Sequence, residues 1–156
     1  MKKILFFICF FALSLFVKAE LPFQYEIECA GNASQGNYLV KVYVYNKKGN
    51  VTDEMLRRAA VHGVIFRGFM AGPQGCSPQK PLVRNASLEY DRNDYFSIFF
   101  KQNGQANQYA TVQNGTYERY KIKKNYKVGA IVVVNKDQLR SVLEEAGLIK
   151  GLSSIF

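Results

Sequence analysis

The chain has 156 residues, with 21 Lys and Arg against 12 Asp and Glu, three Cys, a single His and no Trp, for a net charge of +9. That length suits one ordinary domain, and the composition excludes repeat arrays, collagen-like chains and disordered polymers. With His62 as the sole histidine, any metal site or proton relay built on a histidine pair is excluded as well.

The first segment reads as an export signal. Lys2 and Lys3 precede an almost unbroken apolar run from Ile4 to Val17, and Val17-Lys18-Ala19 supplies the modest side chains a signal peptidase inspects, predicting a cut after Ala19. At about fourteen residues the run is short for a hydrocarbon core of about 30 Å. Cys9 lies in the middle of the run, whereas a lipoprotein signal would carry its Cys at the end. An uncleaved anchor is the competing reading. Loss of Lys2, Lys3 and Lys18 lowers the net charge from +9 to +6 in the mature domain, Glu20 to Phe156. No second apolar stretch of membrane length follows, so the expectation is an extracytoplasmic domain, periplasmic or secreted, with no integral membrane segment after cleavage.

Phe23, Tyr25, Ile27 and Cys29 alternate with Gln24, Glu26 and Glu28, the pattern of a half-buried strand. A Gly/Asn/Ser turn over 31–37 leads to a second strand, Tyr38 to Tyr45, with Val40, Val42 and Val44 on one face and Lys41, Tyr43 and Tyr45 on the other. Thr52 is placed to cap a helix running to about Phe66, with Asp53 and Glu54 in its first turn. Gly68 to Pro81 holds three of the four Pro and reads as a long ordered loop, a length uncommon unless pinned or functional. Cys29 and Cys76 are the two Cys left after cleavage, and one disulfide between them would pin that loop; two free thiols are the alternative.

Asp91 to Lys101 favours a short helix over a strand. Strands are predicted over Gln108 to Val112 and Tyr117 to Lys123, with a turn at Asn114-Gly115. Val128 to Val134 reads as a central strand buried on both faces. Asn135 caps a last helix, Lys136 to Ala146, which Gly147 ends, and the apolar tail from Leu148 is expected to pack back. The order predicts an α+β fold, a mainly antiparallel sheet of about five strands with two or three helices on one face.

Val132-Val133-Val134, Leu139-Arg140, Leu143-Glu144 and Gly151-Leu152 make a Val-rich strand, a Leu-Arg-x-x-Leu-Glu helix and a Gly-Leu tail. In these the chain resembles small exported bacterial proteins of uncharacterised function, well over the last thirty residues and loosely elsewhere. The resemblance implies export and no particular activity.

Chemistry-bearing patterns are sparse. A Cys76–His62 pair is the one thiol mechanism available, in conflict with a disulfide at Cys76, and His62 on an apolar stripe reads more simply as a core histidine. Glu26 and Glu28 share a strand face about 7 Å apart, within glycosidase range, as any solvated strand face also would be. Glu89, Asp91, Asp94 and Glu118 are further acidic candidates. No phosphate loop, dinucleotide fingerprint or calcium loop is present, so no cofactor and no metal are expected. Four Asn-x-Ser/Thr triplets, at Asn32, Asn50, Asn85 and Asn114, are read as turn and cap residues.

The stretch from Tyr117 to Lys127 is the candidate site. Tyr117, Arg119, Lys121 and Lys123 project from one strand face, Tyr120 and Ile122 from the other, and Lys124 and Lys127 follow in the turn. Such a face suits an unknown protein partner or an anionic envelope component, whether glycan, lipid headgroup or acidic protein; a solubilising, edge-protecting face is the alternative. No nucleic-acid recognition motif accompanies the charges. The function expected is a non-catalytic domain binding a partner at the envelope or outside the cell through the Gly68–Pro81 loop, the basic strand face, or both; a small hydrolase using carboxylates or Cys76 is the alternative.

Overall fold

Alternating apolar and polar side chains build an antiparallel sheet, and the apolar half of each strand decides where the helices go. The structure is a computed structural model that describes residues 21–72 and 75–151; the export segment predicted over Met1–Ala19 and the tail from Leu152 lie outside the described residues. The strands are β1 (Tyr25–Gly31), β2 (Asn37–Asn46), β3 (Ala110–Val112), β4 (Glu118–Ile122) and β5 (Asn125–Asn135). The helices are α1 (Asp53–His62), α2 (Leu88–Asp91), α3 (Asn93–Phe99) and α4 (Lys136–Glu145). The sheet order is β1-β2-β5-β3, with β4 also paired to β5. The predicted α+β architecture is observed. The single helix expected after the loop is two short ones, because Arg92 (φ −114°, ψ 38°) breaks the turn between α2 and α3.

β5 is the hub. Its whole length pairs with β2, from Asn37↔Asn135 to Asn46↔Tyr126. Its other edge is divided, β3 taking Val132 to Val134 and β4 taking Asn125 to Gly129. Val128, Ala130, Val132 and Val134 are buried, but Ile131 and Val133 on the reverse face are only half-buried. The expectation of burial on both faces is therefore corrected, since helices cover only one side. Gly129 is the exception on the open face: a Cβ there would fall 2.3 Å from the Tyr43 ring, so only glycine lets that ring lie down on the strand.

Thr52 caps α1, its hydroxyl accepting from the Met55 amide at 3.3 Å. Leu56, Ala59, Ala60 and Val61 are buried, and the helix then widens into a π-turn, Gly63–Arg67, closed by Gly68 N–H on Gly63 C=O at 2.8 Å. A Cβ on Gly63 would meet Ile27 at 2.7 Å, so this glycine sets how closely α1 lies on β1. Phe96, Phe99 and Phe100 complete the core from the α3 side. Asn135 caps α4, accepting from the Gln138 amide at 3.1 Å. Gly147 ends the helix: its own amide bonds Glu144 and the Leu148 amide bonds Leu143, a Schellman motif. Leu148 is buried, as predicted for this part of the tail.

The described part of the Gly68–Pro81 loop lies along the outer edge of β1. Cys29 N–H donates to Met70 C=O (3.2 Å), Phe69 and Gln79 exchange two backbone hydrogen bonds (3.0 and 2.9 Å), and the Cys29–Cys76 disulfide forms the last tie. The loop is an edge cover, hiding backbone that would otherwise template pairing. The bond spans 47 residues of sequence, for which the chain-entropy estimate is about 4 kcal/mol. Reduction, or Cys76→Ser, is expected to lower unfolding free energy by about 2–4 kcal/mol. Urea titrations with and without reductant check this; coincident midpoints would contradict it.

Candidate functional site

Register divides the predicted basic residues between two environments. Alternation along β4 places Tyr117, Arg119 and Lys121 on the helix side of the sheet, with Arg119 opposite Val128 and Lys121 opposite Tyr126. Glu118, Tyr120 and Ile122 point to the open side, where Tyr120 faces Lys127. Lys127 therefore lies in β5, not in the turn, and on the face opposite to Arg119 and Lys121. β5 begins earlier than its apolar core because its pairing with β2 continues to Asn46.

On the open face the charges are compensated. Lys127 Nζ donates to Glu26 (2.6 Å), and the Tyr45 hydroxyl donates to the same carboxylate (2.5 Å). Lys41 Nζ donates to Glu118 (2.6 Å), which also accepts from Tyr43 and Tyr120, each at 2.9 Å. Lys127 additionally sits 4.3 Å from the centre of the Tyr43 ring. Lys41, first, and then the two tyrosine hydroxyls hold the Glu118 carboxyl below the usual carboxylate range, and Lys127 and Tyr45 do the same for Glu26. Glu26 is thereby occupied, which removes the Glu26/Glu28 pair from consideration as two free carboxylates.

At the β4–β5 end the opposite holds. The strands are joined by a two-residue turn, Lys123–Lys124, between the paired Ile122 and Asn125. Both faces of β4 are solvent-exposed, so the hairpin projects past the helix layer. Tyr117 moors it: its hydroxyl donates to Asp53 at the start of α1 (2.5 Å), and that hydrogen bond raises its pKa. The Arg119 guanidinium stacks 4.4 Å over Tyr126 and lies against Gly49. This brings in Lys47 and Lys48 from the β2–α1 connection. They line a shallow cleft of about 550 Å³ together with Phe23, Tyr45, Met55 and Asn125. Lys47, Lys48, Arg119, Lys121, Lys123 and Lys124 form no ion pair among the described residues. They create a positive end of the molecule, with a potential that attracts anions and that salt screens.

Lys123, the first residue of the two-residue turn, has φ +53°, a positive value that favours glycine there. An L-residue in left-handed backbone costs about 1 kcal/mol.

Two arrangements were invisible in the sequence. Lys47 and Lys48 break a strand pattern and carry no local sign of joining a site; only the Asn46↔Tyr126 register does that. The second is a buried chain at His62. A carboxylate only accepts, so Nε2–H donates to Glu89 (2.7 Å) and Nδ1 accepts from the Tyr25 hydroxyl (2.5 Å). Hydroxyl, imidazole and carboxylate stand in the order of a catalytic triad. Here the hydroxyl is a phenol whose pKa burial pushes up, and Tyr25 and His62 are 6% and 3% exposed. The chain acts as a cross-link tying β1, α1 and α2. His62 is thus a buried core histidine with two hydrogen-bond partners. Cys76, held in its disulfide, offers no thiol to that imidazole. The hydroxyls or amides of all four Asn-x-Ser/Thr triplets serve turns or caps, at Ser34, Thr52, Asn85 and Thr116. Among the described residues no group of three His, Cys, Asp or Glu side chains is placed to hold a metal ion.

Comparison with known proteins gives no match: no family model, no curated protein and no solved structure aligns with this chain.

Two outcomes follow from this geometry. Lys123→Gly is expected to raise stability by about 1 kcal/mol by relieving the left-handed lysine, read as a higher urea midpoint; an unchanged or lower midpoint would contradict it. The second concerns acid. Because the folded pKa of Glu118 lies below its unfolded value, its contribution is complete above the ordinary glutamate pKa of about 4.3 and is lost as pH falls through the depressed folded value. Glu118→Gln should therefore be less stable than wild type at pH about 7, and the two should converge at low pH. Denaturation midpoints across that range check it, and parallel curves would contradict it.

Proposed function

We propose that this protein is a non-catalytic, exported binding domain whose basic end docks on an anionic component of the cell envelope. The reading rests on one observation: six cations converge where β2, β4 and β5 end, and none has an acidic partner among the described residues, while Lys41 and Lys127 on the neighbouring face are both neutralised. Export is supported by the Cys29–Cys76 disulfide, which persists in oxidising compartments. No helix among the described residues is long and apolar enough to cross a membrane, so contact with an envelope component through a surface fits the chain. The Gly68–Pro81 loop, committed to the β1 edge, contributes structure to this reading and not the contact.

Retention on a dextran sulfate column, eluted with salt, tests it. Each lost contact between exposed unit charges is worth about 1 kcal/mol in water, so Lys121→Glu, Lys123→Glu and Lys124→Glu together should weaken binding on the order of a hundredfold at low salt. Lys127→Gln, on the compensated face, should elute with wild type. Co-elution of the triple variant with wild type would overturn the proposal.

A further inference from the structure

The hairpin carries more than charge. Ile122 is 43% exposed and Tyr120 is 50% exposed, and both lie on the open side of β4 at its turn end. Among the described residues about half of each side chain is left uncovered, and the Tyr120 hydroxyl is turned back to Glu118. An aliphatic and an aromatic side chain are thus held out in water at the place where the chain also accepts strain at Lys123. Lys121, Lys123 and Lys124 flank Ile122 in sequence and stand on the strand and turn around it.

A soluble polyanion would be met by the cations alone and would leave Ile122 in water. A bilayer interface meets both parts. Its headgroups supply anionic charge, and the boundary beneath them takes aliphatic side chains and the ring of a tyrosine while the hydroxyl remains wet. Lysine stems are suited to this geometry, since the ammonium group reaches back to the headgroup level as the apolar neighbour sinks. A two-residue turn with strand exposed on both faces is also narrow enough to enter without burying helix or loop backbone. Lys47 and Lys48, set back along the Asn46↔Tyr126 pair, would remain at headgroup depth.

We propose that the anionic partner is a lipid surface, and that the β4–β5 hairpin rests its tip, Ile122 and Tyr120, in the interfacial layer of an anionic membrane with Lys121, Lys123 and Lys124 on the headgroups. This inference rests on the proposed anionic docking and names its partner.

Sedimentation with vesicles tests it, comparing phosphatidylcholine alone with an equimolar phosphatidylcholine–phosphatidylglycerol mixture. Wild type should sediment with the mixed vesicles and not with phosphatidylcholine. Each lysine near an anionic surface contributes about fivefold, so the triple Glu variant should lose on the order of a hundredfold. Ile122→Ser leaves every charge in place; it should lose about tenfold on vesicles while eluting unchanged from dextran sulfate. Lys123→Gly should bind vesicles about fivefold more weakly despite its greater stability, which separates binding loss from unfolding. If wild type is retained by dextran sulfate but does not sediment with mixed vesicles, or sediments as strongly after Ile122→Ser, the lipid assignment is overturned and anionic docking stands. If it binds neither matrix, both are overturned.

Discussion

The continuous pairing of β2 with β5 is the constraint on which the molecule depends. Ten consecutive Cα partners without a bulge fix which side of each strand faces the helices. A slip of one residue would turn Val40, Val42 and Val44 outward and Lys41, Tyr43 and Tyr45 into the core. The register also puts Gly129 under Tyr43, which is what lets the ring lie flat and brings its hydroxyl to Glu118. The same pairing runs two residues beyond the last buried valine of β2 and carries β5 out to Tyr126. The hairpin overhang is therefore a consequence of strand length, with β5 longer than the helices that cover it.

Two ways of handling surface charge coexist within one sheet. On the open face, Glu26 and Glu118 each receive a lysine and at least one tyrosine hydroxyl, and rings lie beside the lysine stems. Pairs like these contribute little each at an exposed surface, but they leave the face close to neutral and bound to itself. At the hairpin end the cations have aromatic support and no ion pair among the described residues: Tyr126 lies under Arg119, and the nearby Asp53 carboxylate is taken by the Tyr117 hydroxyl. There the aromatic groups position cations whose charge remains unmet.

Much of the fold was legible in the sequence, because it rests on local rules. Alternation gave β1 and β2, Thr52 and Asn135 announced their helices, and Gly147 marked the end of α4. The disulfide was legible from count and from the expected compartment, since only Cys29 and Cys76 follow the segment read as an export signal. The site was half legible. Charge density pointed to residues 117–127, yet assigning Lys127 to the same group as Arg119 required knowing where the turn falls, and Lys123–Lys124 carries none of the glycine or asparagine that usually marks one. Lys47, Lys48 and the Tyr25–His62–Glu89 chain depend on contacts between residues dozens of positions apart, about which local periodicity carries no information.

Edge protection explains part of the hairpin and fails at its tip. Lysine along an edge strand discourages pairing with another chain, and Lys121 and Arg119 on β4 fit that role. The turn exposes no row of free backbone groups to protect, and its first position sits in the left-handed region, where glycine is less strained. A chain under selection for stability alone has an easy improvement there. Lysine at that position, beside an exposed isoleucine where edge protection would call for a polar residue, is not accounted for by edge protection and fits the proposed contact surface, which the Tyr117–Asp53 hydrogen bond moors to α1.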